Sequence, residues 1–420
     1  MVGAVLLVGC PSADPDDPYA AWPDPATVFP WAYTPEVGLT AYEELRWETE
    51  TWDPYEDTAA AGQYLLKASN HRPSAPDDVL AHHAAMTPEI PALTGGGVRL
   101  TFVGDVMWLG DSWDTFALPV NHLLDGDLRI GNLETPTDPN QTQDIDELGL
   151  FTFNAPPEIL DGLDLDVLQL NNNHSMDVGE AGLDATVVEV EARGFVPTGV
   201  DEHAVVEVGG LTVALLSYTW GLNGKPDSEE HELFVVPFGH VQAGAIDLAA
   251  VESDVAAARS VADVVVVLPH WGFEYEYYAD PWFMQIGREL VRFGADVVVG
   301  HGPHVVQPAE VCAVNDPGMV PGVGTCSVRD DGAPRTALLL PSLGNFSTIQ
   351  PTVEVQTGLV ATVEVGGGGV TGAGWRAVAT ITGGDGHEVH PLRDLVGGSS
   401  EHAGELGRLR AHLGGHWERE

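Results

Sequence analysis

Acid, amide and imidazole side chains recur in this sequence where apolar runs end. Val98–Val103 stops at Gly104-Asp105, and Leu128–Ile130 runs into Gly131-Asn132-Leu133-Glu134. Val167–Leu170 ends in Asn171-Asn172-Asn173-His174, and Val264–Pro269 ends in His270-Trp271-Gly272. Val297–Val299 leads into Gly300-His301-Gly302-Pro303-His304. The donors of Asp105, Glu134, Asn173, His270, His301 and His304 are hard-to-borderline ligands. They suit Mn²⁺, Fe or Zn²⁺ and suit copper(I) or a thiolate cluster poorly. One or two divalent ions held there can activate water, and a pair about 3.5–4 Å apart can clamp phosphoryl oxygens. His174, beside the ligand-type Asn173, is then free to protonate a leaving group.

Other candidates have a weaker pattern behind them. Trp271, Glu274, Tyr275 and Tyr277-Tyr278 follow His270 and are expected either to line a substrate cleft or to pack around the site. Ser342 and Asn345 read as cleft-edge hydrogen-bonding groups or as turn residues. His82-His83, His231 and His240 lack strand-end context and read as surface or structural. Ser217 follows an apolar run but has no G-x-S-x-G elbow, so a serine-hydrolase reading has little support. The glycine runs at 95–97 and 366–369 lack the Lys-Ser/Thr of a phosphate-binding loop and read as turns.

These groups need rigid elements to position them, and the hydrophobic pattern supplies them. Strands are expected at Val98–Val103, near Leu128–Ile130, and at Leu163–Leu170, Leu211–Tyr218, Ala262–Pro269, Ala295–Gly300 and Thr336–Leu340. Helices are expected at Gly179–Arg193, Val241–Val261 and Pro281–Phe293, with a polar one at about 401–413. Continuous runs such as VVVVL (264–268) mark strands buried on both faces. Strands alternating with helices indicate an α/β domain, whose strand carboxyl ends form the mouth where ligands sit. After Leu340 the pattern turns β-rich.

Several of these segments carry a family likeness. GDVMWLG (104–110), GNLETPTD (131–138), NNNHSMDVGEAGLDAT (171–186), the stretch from His270 to Glu310 and PSLGNF (341–346) resemble the CapA-type capsule-synthesis family. That family is related to the calcineurin-like metallophosphoesterases and takes part in making or exporting poly-γ-glutamate and other surface polymers. The resemblance is collinear over roughly residues 98–350. It implies a four-layer α/β/β/α sandwich over 96–350, completed by a β-rich stretch and terminal helix at 351–420. It also implies metal-ligand roles for Asp105, Glu134, Asn173, His270, His301 and His304, and a catalytic role for His174. The sequence departs from the superfamily pattern in three places. Met107 stands where an imidazole is usual, Glu134 stands for an Asp, and His301 and His304 are three apart. One metal position therefore loses an imidazole. Two functions are compatible: a metal-dependent hydrolase of a phosphoester or polymer amide bond, or a non-catalytic component of polymer synthesis and export that uses the same cleft.

The remaining segments bear on location and partners. Residues 1–9 are apolar and end at Cys10, like a lipoprotein signal. They are too short to span a bilayer but long enough for the core of an export signal. An exported, cell-envelope protein anchored through lipid on Cys10 is expected, with residues 11–95 as a Pro/Asp/Trp-rich tether or accessory segment. In that setting Cys312 and Cys326, flanking a Gly/Pro-rich loop, are expected to form a disulfide. The chain of 420 residues carries 17 Lys+Arg against 63 Asp+Glu, a net charge of −46. Such a surface repels a nucleic-acid backbone and an anionic membrane alike. It also opposes a polyanionic polymer, so binding of one is expected to depend on divalent cations. The partners expected are an anionic surface polymer or phosphoester substrate and other polymer-synthesis proteins.

Overall fold

The structure is a computed structural model that describes residues 18–19, 77–86, 90–149, 151–236, 238, 248–279, 281–322, 324–383, 386–414 and 418–419. Cys10, His240 and most of the expected tether lie outside the described residues. Helices of nine or more residues are α1 (Asp77–Ala85), α2 (Gly179–Ala192), α3 (Ala249–Val261), α4 (Pro281–Phe293) and α5 (Ser400–Leu413). The strands of the first half are β1 (Val98–Val106), β2 (Leu128–Leu133), β3 (Val167–Gln169), β4 (Val196–Thr198), β5 (Ala204–Val208), β6 (Leu211–Thr219), β7 (Val264–His270) and β8 (Val297–Val299). They are followed by β9 (Glu310–Val314), β10 (Cys326–Val328), β11 (Arg335–Leu340), β12 (Asn345–Ser347), β13 (Thr357–Gly366), β14 (Gly369–Gly383) and β15 (Gly386–Pro391). Leu163–Leu170 contributes less strand than expected. Its start follows a 3₁₀ turn at Pro157–Gly162, and only Val167–Gln169 joins the sheet.

All fifteen described strands join one mixed sheet in the order β4-β3-β2-β1-β13-β14-β11-β8-β7-β6-β5, with β12 beside β1, β15 beside β14, and β9 linking β10 to β11. The β1–β2–β3–β4 and β6–β7–β8–β11 runs are parallel, as the βαβ pattern requires. The long hairpin β13–β14 enters antiparallel between them. The sheet curls until its ends nearly meet. Thr198 Oγ1 on β4 donates to the Leu215 carbonyl of β6 at 2.8 Å and accepts from the Ala204 amide at 3.1 Å. The result is a nearly barrel-shaped, mixed α/β structure.

Burial follows the two faces of the strands. Val264, Val266 and Leu268 of β7 point into a core shared with Leu100, Phe102, Leu338 and Trp375. The alternate Val265 and Val267 pack outward with Met284 and Leu290 of α4 and Val255 of α3. On the other flank Leu183 and Val190 of α2 cover Val103, Leu133 and Leu168. The central strands β7 and β8 are therefore buried on both faces, which explains their unbroken apolar runs in the sequence. A disulfide joins Cys312 to Cys326 where β9 and β10 are in direct register.

His82 is buried rather than at the surface. Its Nε2 meets Glu310 Oε1 at 3.1 Å, its Nδ1 accepts from the Gly324 amide at 3.0 Å, and the Arg288 guanidinium of α4 binds the same carboxylate. His231 is half-buried between Asp184 and Asp201, at 2.8 and 2.7 Å. Ser217 lies buried in β6, so it offers no exposed nucleophile.

Candidate metal centre

The centre forms where the ends of the neighbouring strands β1 and β2 meet the ends of β7 and β8 across the curled sheet, Asp105 reaching His301 and Asn132 reaching His270. Gly104 lets it form. A Cβ there would lie 2.0 Å from the Gly344 carbonyl oxygen, so only glycine allows β1 to run this close to the 341–347 segment. The Asp105 amide donates to that same carbonyl at 3.0 Å. The register of β1 against both β2 and β12 shifts around Asp105, an irregularity that turns its carboxylate into the mouth. Gly302, at φ 107°, fits against the His270 ring and donates its amide to Asp105 Oδ2 at 3.2 Å.

Asp105 is the hub. Its Oδ1 accepts from Asn132 Nδ2 at 2.9 Å and lies 3.1 Å from His301 Nδ1, and its Oδ2 lies 3.4 Å from His304 Nδ1. Burial alone would raise its pKa, but the hydrogen bonds and charges of His301 and His304 hold it well below the usual carboxylate range. Glu134 behaves oppositely. Burial, then the charge of Asp105 beside it, pushes its carboxyl well above the ordinary value. Burial also lowers His270 to about 3. His304 loses basicity to burial, but the charges of Glu134, Asp105 and Glu274 outweigh this and raise it to about 10.

Asp105, Glu134 and His270 each offer a ligand atom, and these atoms all lie within 4.8 Å of one another. His270 Nε2 is 3.5 Å from Glu134 Oε1, and His304 Nδ1 is 3.8 Å from Glu134 Oε2. Both oxygens of the wholly buried Glu134 receive no hydrogen bond, and the same holds for Asn173 Oδ1, Asp177 Oδ1 and Glu274 Oε2. Leaving buried carboxylate oxygens without a donor costs desolvation energy that a cation would offset. The residues present therefore fit a divalent ion.

His174 lies beside this group. Its Nδ1 is 2.7 Å from Asp177 Oδ2, which also accepts from the Phe153 amide at 2.8 Å, and its ring packs on Phe153 at 4.8 Å. A carboxylate on Nδ1 places the hydrogen there and leaves Nε2 as the working atom. Asn173 Nδ2 reaches Asn223 Oδ1 at 3.4 Å.

Three residues that the sequence pattern left unassigned connect these parts. Asn172 donates from Nδ2 to the Leu133 carbonyl at 2.8 Å and to Asn132 Oδ1 at 3.1 Å, while its Oδ1 accepts from the His174 amide at 3.0 Å. With its oxygen so engaged, Asn132 turns its amide nitrogen to Asp105 and to His270 Nδ1, at 3.3 Å. Asp177 is the third. Asn132, Asn172 and Asp177 lie inside the motifs GNLE and NNNHSMD, so their position was the available signal.

The aromatic stretch after His270 divides. Trp271 does not face a cleft. It is buried against Phe238 and Phe283 and donates Nε1 to the Pro341 carbonyl at 3.1 Å, because β7 turns it toward α4. Tyr275 packs beside His304 and accepts from Gln350 Nε2 at 2.9 Å. Glu274 Oε1 lies 3.9 Å from His304 Nε2. Asn345 faces the centre, with Oδ1 2.9 Å from His304 Nδ1. Ser342 Oγ accepts from the Gly344 amide at 3.2 Å, a turn role.

The family described as Bacterial capsule synthesis protein PGA_cap matches residues 99–350, more than half of the chain and the whole of this centre. The chain belongs to this family. Among curated relatives of this capsule-synthesis family, the "PGA biosynthesis protein CapA" of Bacillus subtilis (strain 168) is 28% identical over 250 residues, covering 54% of this chain and 63% of its own length. The "Capsule biosynthesis protein CapA" of Bacillus anthracis is 28% identical over 152 residues, 34% of this chain and 36% of its own. The chain thus spans less than two thirds of the length of these relatives. A crystal structure of a hypothetical protein from Thermus thermophilus aligns with 66% of this chain and 98% of its own at 16% identity and a TM-score of 0.39. No helix among the described residues is long and apolar enough to cross a membrane.

Proposed function

We propose that this capsule-synthesis protein is a metal-dependent hydrolase acting on a phosphoester or on an amide bond of a poly-γ-glutamate-type surface polymer. The observation that carries the reading is the buried Asp105–Glu134–His270 group with both Glu134 oxygens lacking donors. Asp105, Glu134 and His270 would hold one divalent ion, Mn²⁺, Fe or Zn²⁺, with Asn173, His301 and His304 completing the set for one or two ions. When bound, such an ion supplies Lewis acidity and a water made acidic enough to attack at neutral pH. Asn132 and Asn172 hold the Asp105 carboxylate and the His174 backbone in fixed relation. Asp177 keeps the hydrogen of His174 on Nδ1, so Nε2 delivers a proton to the departing oxygen or nitrogen and Asp177 stabilises the imidazolium before that delivery. Export and attachment to the envelope through lipid on Cys10 complete the proposal, as does a four-layer description of the curled sheet. In that description its two walls face each other across the shared core, with helices outside.

A second reading is a component of a synthesis and export complex that holds polymer or partner in the same cleft without turnover. It is favoured by Met107. This side chain is buried, its Sδ receives Thr348 Oγ1 at 3.7 Å, and it gives the centre no imidazole. Assay of a chromogenic phosphodiester and a γ-glutamyl oligopeptide with and without chelator separates the two. Chelator-sensitive turnover of either supports the hydrolase. Polymer binding without turnover supports the second reading.

A further inference from the structure

We propose that the cavity between β14, α5 and the segments around Pro391 and Arg419 is a binding site of its own, built for an oxyanion such as phosphate or a carboxylate. It measures about 210 Å³ and is lined by Arg376, Arg393, Arg419 and His122, with Leu123 and Leu406 beside them. Three guanidiniums on one small cavity are unexpected in a chain with 17 Lys+Arg against 63 Asp+Glu. Guanidinium forks match the planar edge of a carboxylate or the face of a phosphate and bind them through charge-assisted hydrogen bonds.

The acids of this corner do not balance its arginines. Asp125 accepts from Arg419 Nη1 and Nη2 at 3.0 and 2.7 Å and from Arg376 Nη1 at 3.3 Å, and it lies 3.8 Å from Arg99. One carboxylate thus serves three guanidiniums. Glu418 serves two more, accepting from Arg393 Nη2 at 2.8 Å and from Arg410. With Asp127, 4.0 Å from Arg99, and the exposed Asp394 counted in, five guanidiniums still face four carboxylates. Over the whole chain the ratio is strongly reversed. Arg99 lies six residues before Asp105 on β1, about 20 Å along the strand, so this corner is separate from the metal centre and does not depend on it.

Arg376 registers the excess. Its side chain is largely buried. Burial first, then the charge of Arg419, holds it below its ordinary pKa in spite of Asp125. Arg410, which does not line the cavity, is shifted upward by its hydrogen bonds to Glu418. A partly desolvated cation without a full counter-charge costs energy that a bound anion would offset. Arg393 adds the donors. Its Nη2 holds Glu418 and, at 3.3 Å, the Arg419 carbonyl, while among the described residues its Nε and Nη1 make no hydrogen bond and remain for a ligand.

The test is calorimetric titration of inorganic phosphate and of glutarate into the full chain, stripped of metal and free of chelator, as wild type, Arg393→Gln and Arg376→Lys. The wild type should bind one equivalent, more weakly as salt rises. Arg393→Gln should lose roughly 10–100-fold in affinity. Its melting temperature should stay unchanged, because the side chain is exposed and a surface ion pair contributes little. Arg376→Lys keeps the charge but not the fork and should also bind more weakly. Tighter binding of phosphate would assign a phosphate-bearing ligand, and tighter binding of glutarate a carboxylate one. A wild type that binds neither probe, or variants that both bind as tightly as the wild type, would overturn the site.

Discussion

At the residue scale, the centre joins groups whose types are readable in the sequence to groups whose roles are not. Asp105, Glu134, Asn173, His270, His301 and His304 stand out because polar donors at the ends of apolar strands are rarely idle. Asn132, Asn172 and Asp177 do not, because an amide or acid that orients a neighbour has no spacing of its own; its role exists only once two strand ends are adjacent. Trp271 misleads for the opposite reason. An aromatic beside a ligand suggests a cleft, but alternation along β7 sends it into the core. Two predictions belong here. His174→Ala should lower turnover roughly 10²–10⁴-fold, the range of a lost general acid, with bound metal unchanged by elemental analysis. Equal turnover would remove His174 from the mechanism. Asn132→Asp should weaken metal binding measured by calorimetry, because a second anion replaces the amide that donates to Asp105 at 2.9 Å and would repel that carboxylate or recruit its protons. Unchanged affinity would mean that Asn132 does not orient the ligand.

At the scale of elements, the strand–helix alternation from Val98 to Leu340 is legible in the hydrophobic pattern. The insertion of β13–β14 between β1 and β11, and the near-closure of the sheet at β4 and β6, are not. Both depend on pairings between strands far apart in the chain, which no local pattern encodes. Close approaches are equally nonlocal. Gly104→Ala must push β1 off the Gly344 carbonyl and should cost about 3 kcal/mol in urea unfolding. Gly404→Ala, inside α5 with no atom near its added Cβ, should instead stabilise by up to about 1 kcal/mol. The reverse order would contradict the packing described here.

The His82–Glu310–Arg288 cluster ties α1, β9 and α4 together and gives a pH signature. Burial would raise the Glu310 carboxyl, but Arg288 and His82 pull it down to about 2 from an ordinary 4.5. A lowered folded-state pKa means that its stabilisation is full above about pH 4.5 and is lost as pH falls toward 2. Glu310→Gln should lose about 3–5 kcal/mol at pH 7, and its stability should fall less steeply than the wild type's between pH 4.5 and 2. Parallel pH curves for the two proteins would show that Glu310 is not the group responsible.

For the whole molecule, the charge of −46 decides how an anionic polymer can approach. At about 0.15 M salt, screening over about 8 Å mutes repulsion from distant carboxylates but not from those at the mouth. There the carboxyl groups of Asp105, Glu134, Asp177 and Glu274 converge, and a divalent ion held among them would offset two negative charges. Poly-γ-glutamate should therefore bind in the presence of Mn²⁺ and be released by chelator, as read by calorimetry. Equal affinity in both conditions would separate polymer recognition from the metal centre.

The most direct test of the central claim is metal analysis of the purified chain, wild type and Asp105→Asn, after saturation in turn with Mn²⁺, Fe²⁺ and Zn²⁺ and removal of free ion. At least one tightly held equivalent in the wild type, strongly reduced in Asp105→Asn, is the predicted result. A wild type that retains none of the three metals would contradict it.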